Sequence, residues 1–183
     1  MDIIDSNVLI IGGGVIGLSI AASLSESGYE TILVEKNIHL AEEVSARNSG
    51  VIHAGFYYPK NSLKSKFCNS GNKLIYDYCS KKNIYNKKTG KILVSNQKNS
   101  INIFKEYINN ANYIHAEPLR IIDKAEIEKL EPDVEADYGL YSPETGILDV
   151  HSYSNSLEND IVSNNGLISL NSYLKNTKKI GDN

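Results

Sequence analysis

Asn7-Val8-Leu9-Ile10-Ile11-Gly12-Gly13-Gly14-Val15-Ile16-Gly17 decides the fold. The apolar run Asn7–Ile11 has the length of a short strand and stops at three glycines. Beyond them Ile16, Ile20 and Leu24 recur at helical spacing until Gly28, a natural helix stop. Thr31–Val34 is then a β-branched run closed by Glu35. Strand, glycine turn, helix and strand make a βαβ unit with GxGxxG at its first turn. Gly12 permits the tight turn out of the strand, Gly14 lets backbone approach a pyrophosphate, and Gly17 allows close helix–strand packing. The helix start at Val15 and Ile16 offers unpaired N–H groups and a partial positive charge to phosphates. Glu35, followed by Lys36, stands about 20 residues beyond the glycines, where a carboxylate accepts both hydroxyls of an adenosine ribose and disfavours a 2′-phosphate. The unit is therefore read as a dinucleotide site that does not take NADP.

Working outward, 183 residues suffice for one domain with a core, or for one domain and the start of a second. A net charge of −3 gives no basic field for nucleic acid or an anionic membrane surface. No apolar run approaches the ~18 residues of a transmembrane span, and peripheral membrane association is left open. Asp2 and Asp5 replace the basic start of a secretion signal, so the expected location is cytoplasmic. Cys68 and Cys79 fit neither a CxxC motif nor a disulfide framework and are expected to be reduced and buried. His39, His115 and His151 have no partners at ligand spacing, so no metal site is expected.

The rest of the chain reads as alternating elements. A connection over residues 37–59 carries a short helix near Glu42–Arg47, and a longer helix runs from Ser62 to about Lys81 with Leu63, Phe67, Leu74, Ile75 and Tyr78 as its apolar positions. Lys91–Ser95 is a strand, Asn99–Asn109 an amphipathic helix, and Asp123–Leu130 a short helix capped by Asp123 and ended before Pro132. Gly139–Ser142 and Gly146–Val150 are brief extended pieces, followed by a helix near His151–Asn164 and a strand at Gly166–Leu170. The polar tail from Lys175 is expected to be frayed.

Arg47 is one of two arginines among 19 basic residues, and its place beside Asn48, Ser49 and Gly50 suggests a fixed donor fork next to exposed N–H groups. The alternative is a solvated turn. The stretch Ser45-Ala46-Arg47-Asn48-Ser49-Gly50-Val51-Ile52-His53-Ala54-Gly55-Phe56-Tyr57-Tyr58-Pro59, with Ser62-Leu63-Lys64 and Phe67-Cys68-Asn69-Ser70-Gly71-Asn72, resembles the FAD-dependent oxidoreductases of the D-amino-acid oxidase superfamily. Within them it is most similar to the L-2-hydroxyglutarate dehydrogenases and oxidases. The resemblance continues through Gly90–Val94, Leu130-Glu131-Pro132 and Gly146–Asp149, to about residue 165.

The resemblance implies an α/β fold: a Rossmann-like, glutathione-reductase-like FAD-binding domain entering a smaller β-rich substrate domain. The expected boundaries are 1–84, 85–150, and a return toward the first domain over 151–183. FAD is the implied cofactor, with Arg47–Val51 lining it and His53 near the isoalloxazine. The candidate cofactor residues are thus Gly12, Gly14, Val15, Ile16, Gly17, Glu35, Lys36, Ser45, Arg47, Asn48, Ser49, Gly50 and Val51, and the candidate catalytic residues are His53 and Tyr58. The implied reaction is oxidation of a small 2-hydroxy acid, L-2-hydroxyglutarate to 2-oxoglutarate, with oxygen or a quinone as final electron acceptor.

Imidazole has a suitable pKa to take the hydroxyl proton or to stabilise developing charge, and a purely structural histidine is the alternative. Tyr57 and Tyr58 either donate to a substrate carboxylate or pack beneath the flavin. Lys64 is read as a surface lysine, with pairing to substrate as the alternative. Other superfamily substrates (glycerol-3-phosphate, a small amino acid), a non-catalytic remnant and an NAD-binding module stay open. Proteins of this kind continue past the substrate domain and return strands to the first sheet. The chain alone is therefore expected to expose a sheet edge, hold FAD weakly and not turn over.

Overall fold

The computed structural model describes residues 4–180, which fall into two units, one formed by residues 4–48 and 150–180 and the other by residues 49–149. The first unit contains the βαβ element: β1 (Val8–Ile11), α1 (Val15–Glu26) and β2 (Thr31–Val34), joined by α5 (Val150–Ser163) and β9 (Leu167–Ser169). Its sheet is parallel in the order β1-β2-β9, with Val8 opposite Thr31 and Ile32 opposite Leu167. The central strand buries Thr31 and Leu33.

Helix α1 buries Leu18, Ala21, Ala22 and Ser25, and packs on α5, whose Ser154, Leu157 and Ile161 are buried. Small side chains let the two helices approach closely: a Cβ on Gly166 would lie 2.6 Å from both Ile161 and Ser25. The apolar positions read from spacing, Ile16 and Ile20, are instead 74% and 47% exposed. Strand β1 lies at one edge of this sheet, and Leu9 and Ile11 on it are exposed.

No helix forms at residues 42–47. That segment is a succession of turns closed by Ala46 N–H to Glu43 O and Arg47 N–H to Val44 O, with Ala41 at φ 56°. Residues 172–180 have no regular structure, and residues 181–183 of the expected frayed tail lie outside the described residues.

The second unit has two three-stranded antiparallel sheets. One is β3-β8-β4, from Val51–Ile52, Gly146–Leu148 and Asn86–Lys87; the other is β5-β7-β6, from Lys91–Ser95, Tyr138–Ser142 and Arg120–Asp123. Helices α2 (Leu63–Lys81), α3 (Ser100–Tyr113) and α4 (Lys124–Leu130) complete it. Ser62 caps α2 by accepting from Ser65 N–H at 3.1 Å, and Asp123 caps α4 by accepting from Glu126 N–H at 3.0 Å. The core gathers Phe56, Phe104, Ala111, Leu119 and Leu140 between α3 and the second sheet.

The division falls at 48/49 and 149/150, not at 84/85, because α2 is tied to the β-rich unit. Tyr76 Oη and Asn72 Nδ2 both donate to Glu144 O, at 3.1 and 3.0 Å. The buried positions of α2 are Ser65, Asn72 and Cys79, whereas Leu63, Phe67 and Leu74 are exposed. Among the described residues no helix is long and apolar enough to cross a membrane, and no group of His, Cys, Asp and Glu is placed to hold a metal.

Candidate functional site

In the first unit the glycines do what the turn requires. Gly12 sits at φ 107°, its N–H donating to Val34 O at 2.9 Å, and a Cβ on Gly17 would overlap Gly12 O. A Cβ on Gly14 would meet Ser45 Oγ at 3.2 Å. Gly13, which the fingerprint leaves free, is also constrained, since its Cβ would clash with Leu40 and sit 3.1 Å from Glu35 Cβ.

Gly14 N-caps α1 without a side-chain cap, and the first turn holds no acid. Val15 N–H donates to Ser45 Oγ at 2.9 Å, and Leu18 N–H to Gly14 O. The N–H groups of Ile16 and Gly17 have no acceptor among the described residues. A bare helix start with free donors and no carboxylate suits a phosphate group.

Glu35 is 8% exposed and braces this turn. Its Oε2 accepts from Gly13 N–H at 2.6 Å and its Oε1 from Asn37 N–H at 2.9 Å. Burial pushes its pKa up, but the Asn37 and Gly13 N–H groups and the Lys36 charge outweigh burial and hold it below its ordinary value. A carboxylate has about four lone-pair sites, so two remain for ribose hydroxyls. Lys36 itself pairs with Glu43 at 3.4 Å, both exposed. A cavity of about 590 Å³ adjoins the turn, walled by His39–Glu42, Ser45 and α5. Asn48 Nδ2 folds back onto Ser45 O at 2.7 Å, while exposed Arg47 has no carboxylate within 4 Å among the described residues. The free donors, the ribose-ready carboxylate and the cavity fit the ADP half of FAD.

The other half of the motif belongs to the second unit. Ser49 is exposed, Gly50 at φ 64° accepts from Leu148 N–H, and Val51 pairs with Ile147 in the first sheet. His53 Nδ1 lies 2.6 Å from Tyr57 Oη. The Tyr57 and Tyr58 rings are 4.6 Å apart; Phe56 meets Tyr57 edge-on at 4.9 Å and locks it to the core. Partial burial, then the Lys91 and Lys64 charges, lower the His53 pKa and so favour the uncharged imidazole. Burial likewise pushes the Tyr57 phenol up and keeps it protonated.

Two residues outside the candidate site residues named from the sequence hold this loop. Asn72 of α2 donates to His53 O at 3.3 Å, and Asn110 of α3 donates to Phe56 O and, at 2.8 Å, to Tyr58 O. A signal existed: asparagine is a poor helix former, and inside α2 and α3 both are buried. His53 also edges an apolar cavity of about 450 Å³ whose ionisable lining groups are His53, Lys64 and Cys68. Cys68 is half-buried, unlike fully buried Cys79; both are free thiols, and burial raises both pKa values, with Lys64 opposing at Cys68.

Comparison with known proteins agrees. The chain is 39% identical over 151 residues to L-2-hydroxyglutarate dehydrogenase of Arabidopsis thaliana, covering 82% of the chain and 31% of that protein. It is 32% identical over 181 residues to the Dictyostelium discoideum enzyme of the same name, covering 94% and 41%. The chain thus spans well under half the length of these relatives. The solved L-alpha-glycerophosphate oxidase of Mycoplasma pneumoniae, with FAD bound, superposes with a TM-score of 0.84 at 31% identity, covering 92% of this chain and 45% of that one. The DAO family, described as FAD dependent oxidoreductase, matches residues 7–181. The chain belongs to this DAO family of FAD-dependent oxidoreductases, and FAD is its cofactor.

Proposed function

We propose that the protein containing this chain oxidises L-2-hydroxyglutarate to 2-oxoglutarate. The observation that carries the reading is the His53 imidazole, hydrogen-bonded to Tyr57 at the edge of an apolar cavity that Lys64 also lines. The names of the relatives supply the substrate. When bound, FAD supplies the two-electron acceptor for the hydride that leaves the hydroxyl-bearing carbon. Gly14, Val15, Ile16, Gly17 and Glu35 would hold its pyrophosphate and ribose.

His53 takes the hydroxyl proton at Nε2, in the tautomer whose Nδ1–H donates to Tyr57 Oη. Loss of the proton and the hydride turns the carbinol into the ketone, which balances the reaction. Tyr57 fixes the ring, and Asn72 and Asn110 fix the loop that carries both.

Glycerol-3-phosphate is the second reading, favoured by the Mycoplasma pneumoniae likeness. The test replaces the matching segment of a full-length L-2-hydroxyglutarate dehydrogenase with this chain and assays dye-coupled turnover. Oxidation of L-2-hydroxyglutarate in preference to glycerol-3-phosphate is expected. A chimera that holds FAD and prefers glycerol-3-phosphate overturns the substrate.

A further inference from the structure

We propose that Lys64 and Lys91 form a two-point anion site around His53 and select a 2-hydroxy acid that carries a second carboxylate. This rests on the reading of His53 as the group at the reacting carbon.

The two lysines come from separate elements, Lys64 from the first turn of α2 and Lys91 from the start of β5. They converge on one aromatic pair: Lys64 Nζ lies 4.4 Å from the Tyr58 ring centroid and Lys91 Nζ 4.8 Å from that of Tyr57. Those rings are 4.6 Å apart, and Tyr57 holds His53 at 2.6 Å. Ring faces steady both ammonium groups without neutralising them.

Neither lysine has a carboxylate within 4 Å among the described residues, although Lys36, Lys88 and Lys124 all do. The charges acting on His53 are these two cations and no acid. Such a cluster of like charges beside an imidazole is unfavourable by itself and is relieved by an anion. Two separate cations match two separate carboxylates, one next to the reacting carbon and one distal. A monocarboxylate leaves one ammonium unpaired. Lys64 also edges the apolar cavity with His53, which places one cation at the mouth of a space otherwise lined by groups such as Ile52, Leu63 and Phe67.

The test titrates the FAD-loaded chimera described above with L-2-hydroxyglutarate and with L-2-hydroxyvalerate, its same-length monoacid, by calorimetry at low salt. The His53 ring resonances are followed by NMR in the same samples. The dicarboxylate is expected to bind about tenfold or more tightly than the monoacid. Lys64→Met and Lys91→Met each reduce that ratio toward one and raise the titration midpoint of His53, whereas Lys64→Arg and Lys91→Arg keep the ratio. The His53 resonances of each variant report that the loop remains folded.

A ratio near one in the parent chimera, a ratio unchanged in both methionine variants, or no binding of either acid overturns the proposal. If chimera turnover on 2-hydroxy acids is intact but the ratio ignores the lysines, this inference fails and the proposed function stands. If the ratio depends on the lysines but His53→Ala leaves turnover unchanged, the proposed role of His53 fails and the anion site stands.

Discussion

Replacing Glu35 by Gln isolates the one carboxylate that serves both the fold and the proposed cofactor site. In the parent chain Oε2 and Oε1 take the Gly13 and Asn37 N–H groups, at 2.6 and 2.9 Å, on a side chain only 8% exposed. A glutamine has one acceptor oxygen, so its NH₂ must face one of those donors. Leaving a buried N–H unsatisfied costs about 1–3 kcal/mol, and the surviving bond loses its charge assistance, about 1 kcal/mol more. Relief of the burial that pushes the carboxyl upward returns part of this. The net expectation is a loss of about 1–3 kcal/mol.

The pH dependence has a definite sign. A carboxylate held below its ordinary value of 4.5 contributes stability that is present above that value and is lost as pH falls through the lower folded value. The stability gap between parent and variant therefore narrows as pH drops from 6 toward 3. Urea unfolding at several pH values measures the gap. Ribose also loses a charged acceptor, so FAD affinity should weaken by a further 1–3 kcal/mol, roughly 5- to 150-fold in Kd, read by flavin fluorescence. An unchanged urea midpoint together with an FAD Kd within about twofold would refute the reasoning.

Gly17→Ala puts a methyl group onto Gly12 O and should cost about 3 kcal/mol or more, read as loss of cooperative melting or of FAD retention. Asn110→Leu strips the Phe56 and Tyr58 carbonyls of their donor but removes the partnerless buried Oδ1; a loss of about 1–3 kcal/mol in urea unfolding is expected, and a loss below about 0.5 would show that the clamp is idle. In the chimera, His53→Ala should lower kcat by about 10²-fold with FAD content near normal, and loss of flavin in step with activity would mark the histidine as structural. NADPH should fail to compete for the FAD site, because Glu35 repels a 2′-phosphate; tight NADPH binding would contradict the geometry of the turn.

Much of the first unit was legible because its signals are local. Strand β2 at Thr31–Val34, the glycine turn and the helix after it follow from steric rules that act within a few residues. The motif at 47–64 was likewise readable as a family likeness, and capping chemistry placed the start of α4 at Asp123. The turns at 42–47 were misread as a helix; Val44 there is exposed, and Ser45 accepts from Val15 N–H at the start of α1. The two-residue strands β3 and β4 are too short to show any period, and exist only because β8 lies between them.

The sequence by itself determined the dinucleotide turn, the acid that closes it and the family, since each depends on residue identity at short, fixed spacing. Tertiary structure decided which faces are buried: α1 packs through Ala21, Ala22 and Ser25 on α5, a helix far along the chain, and leaves Ile16 outside. It also decided where the unit boundary falls, because hydrogen bonds from α2 to Glu144 O join segments remote in sequence. The surroundings of His53 were decided the same way. Its Tyr57 partner is local, but its two cations come from α2 and β5 and the second clamp of its loop from α3, and spacing along the chain carries no record of long-range contacts.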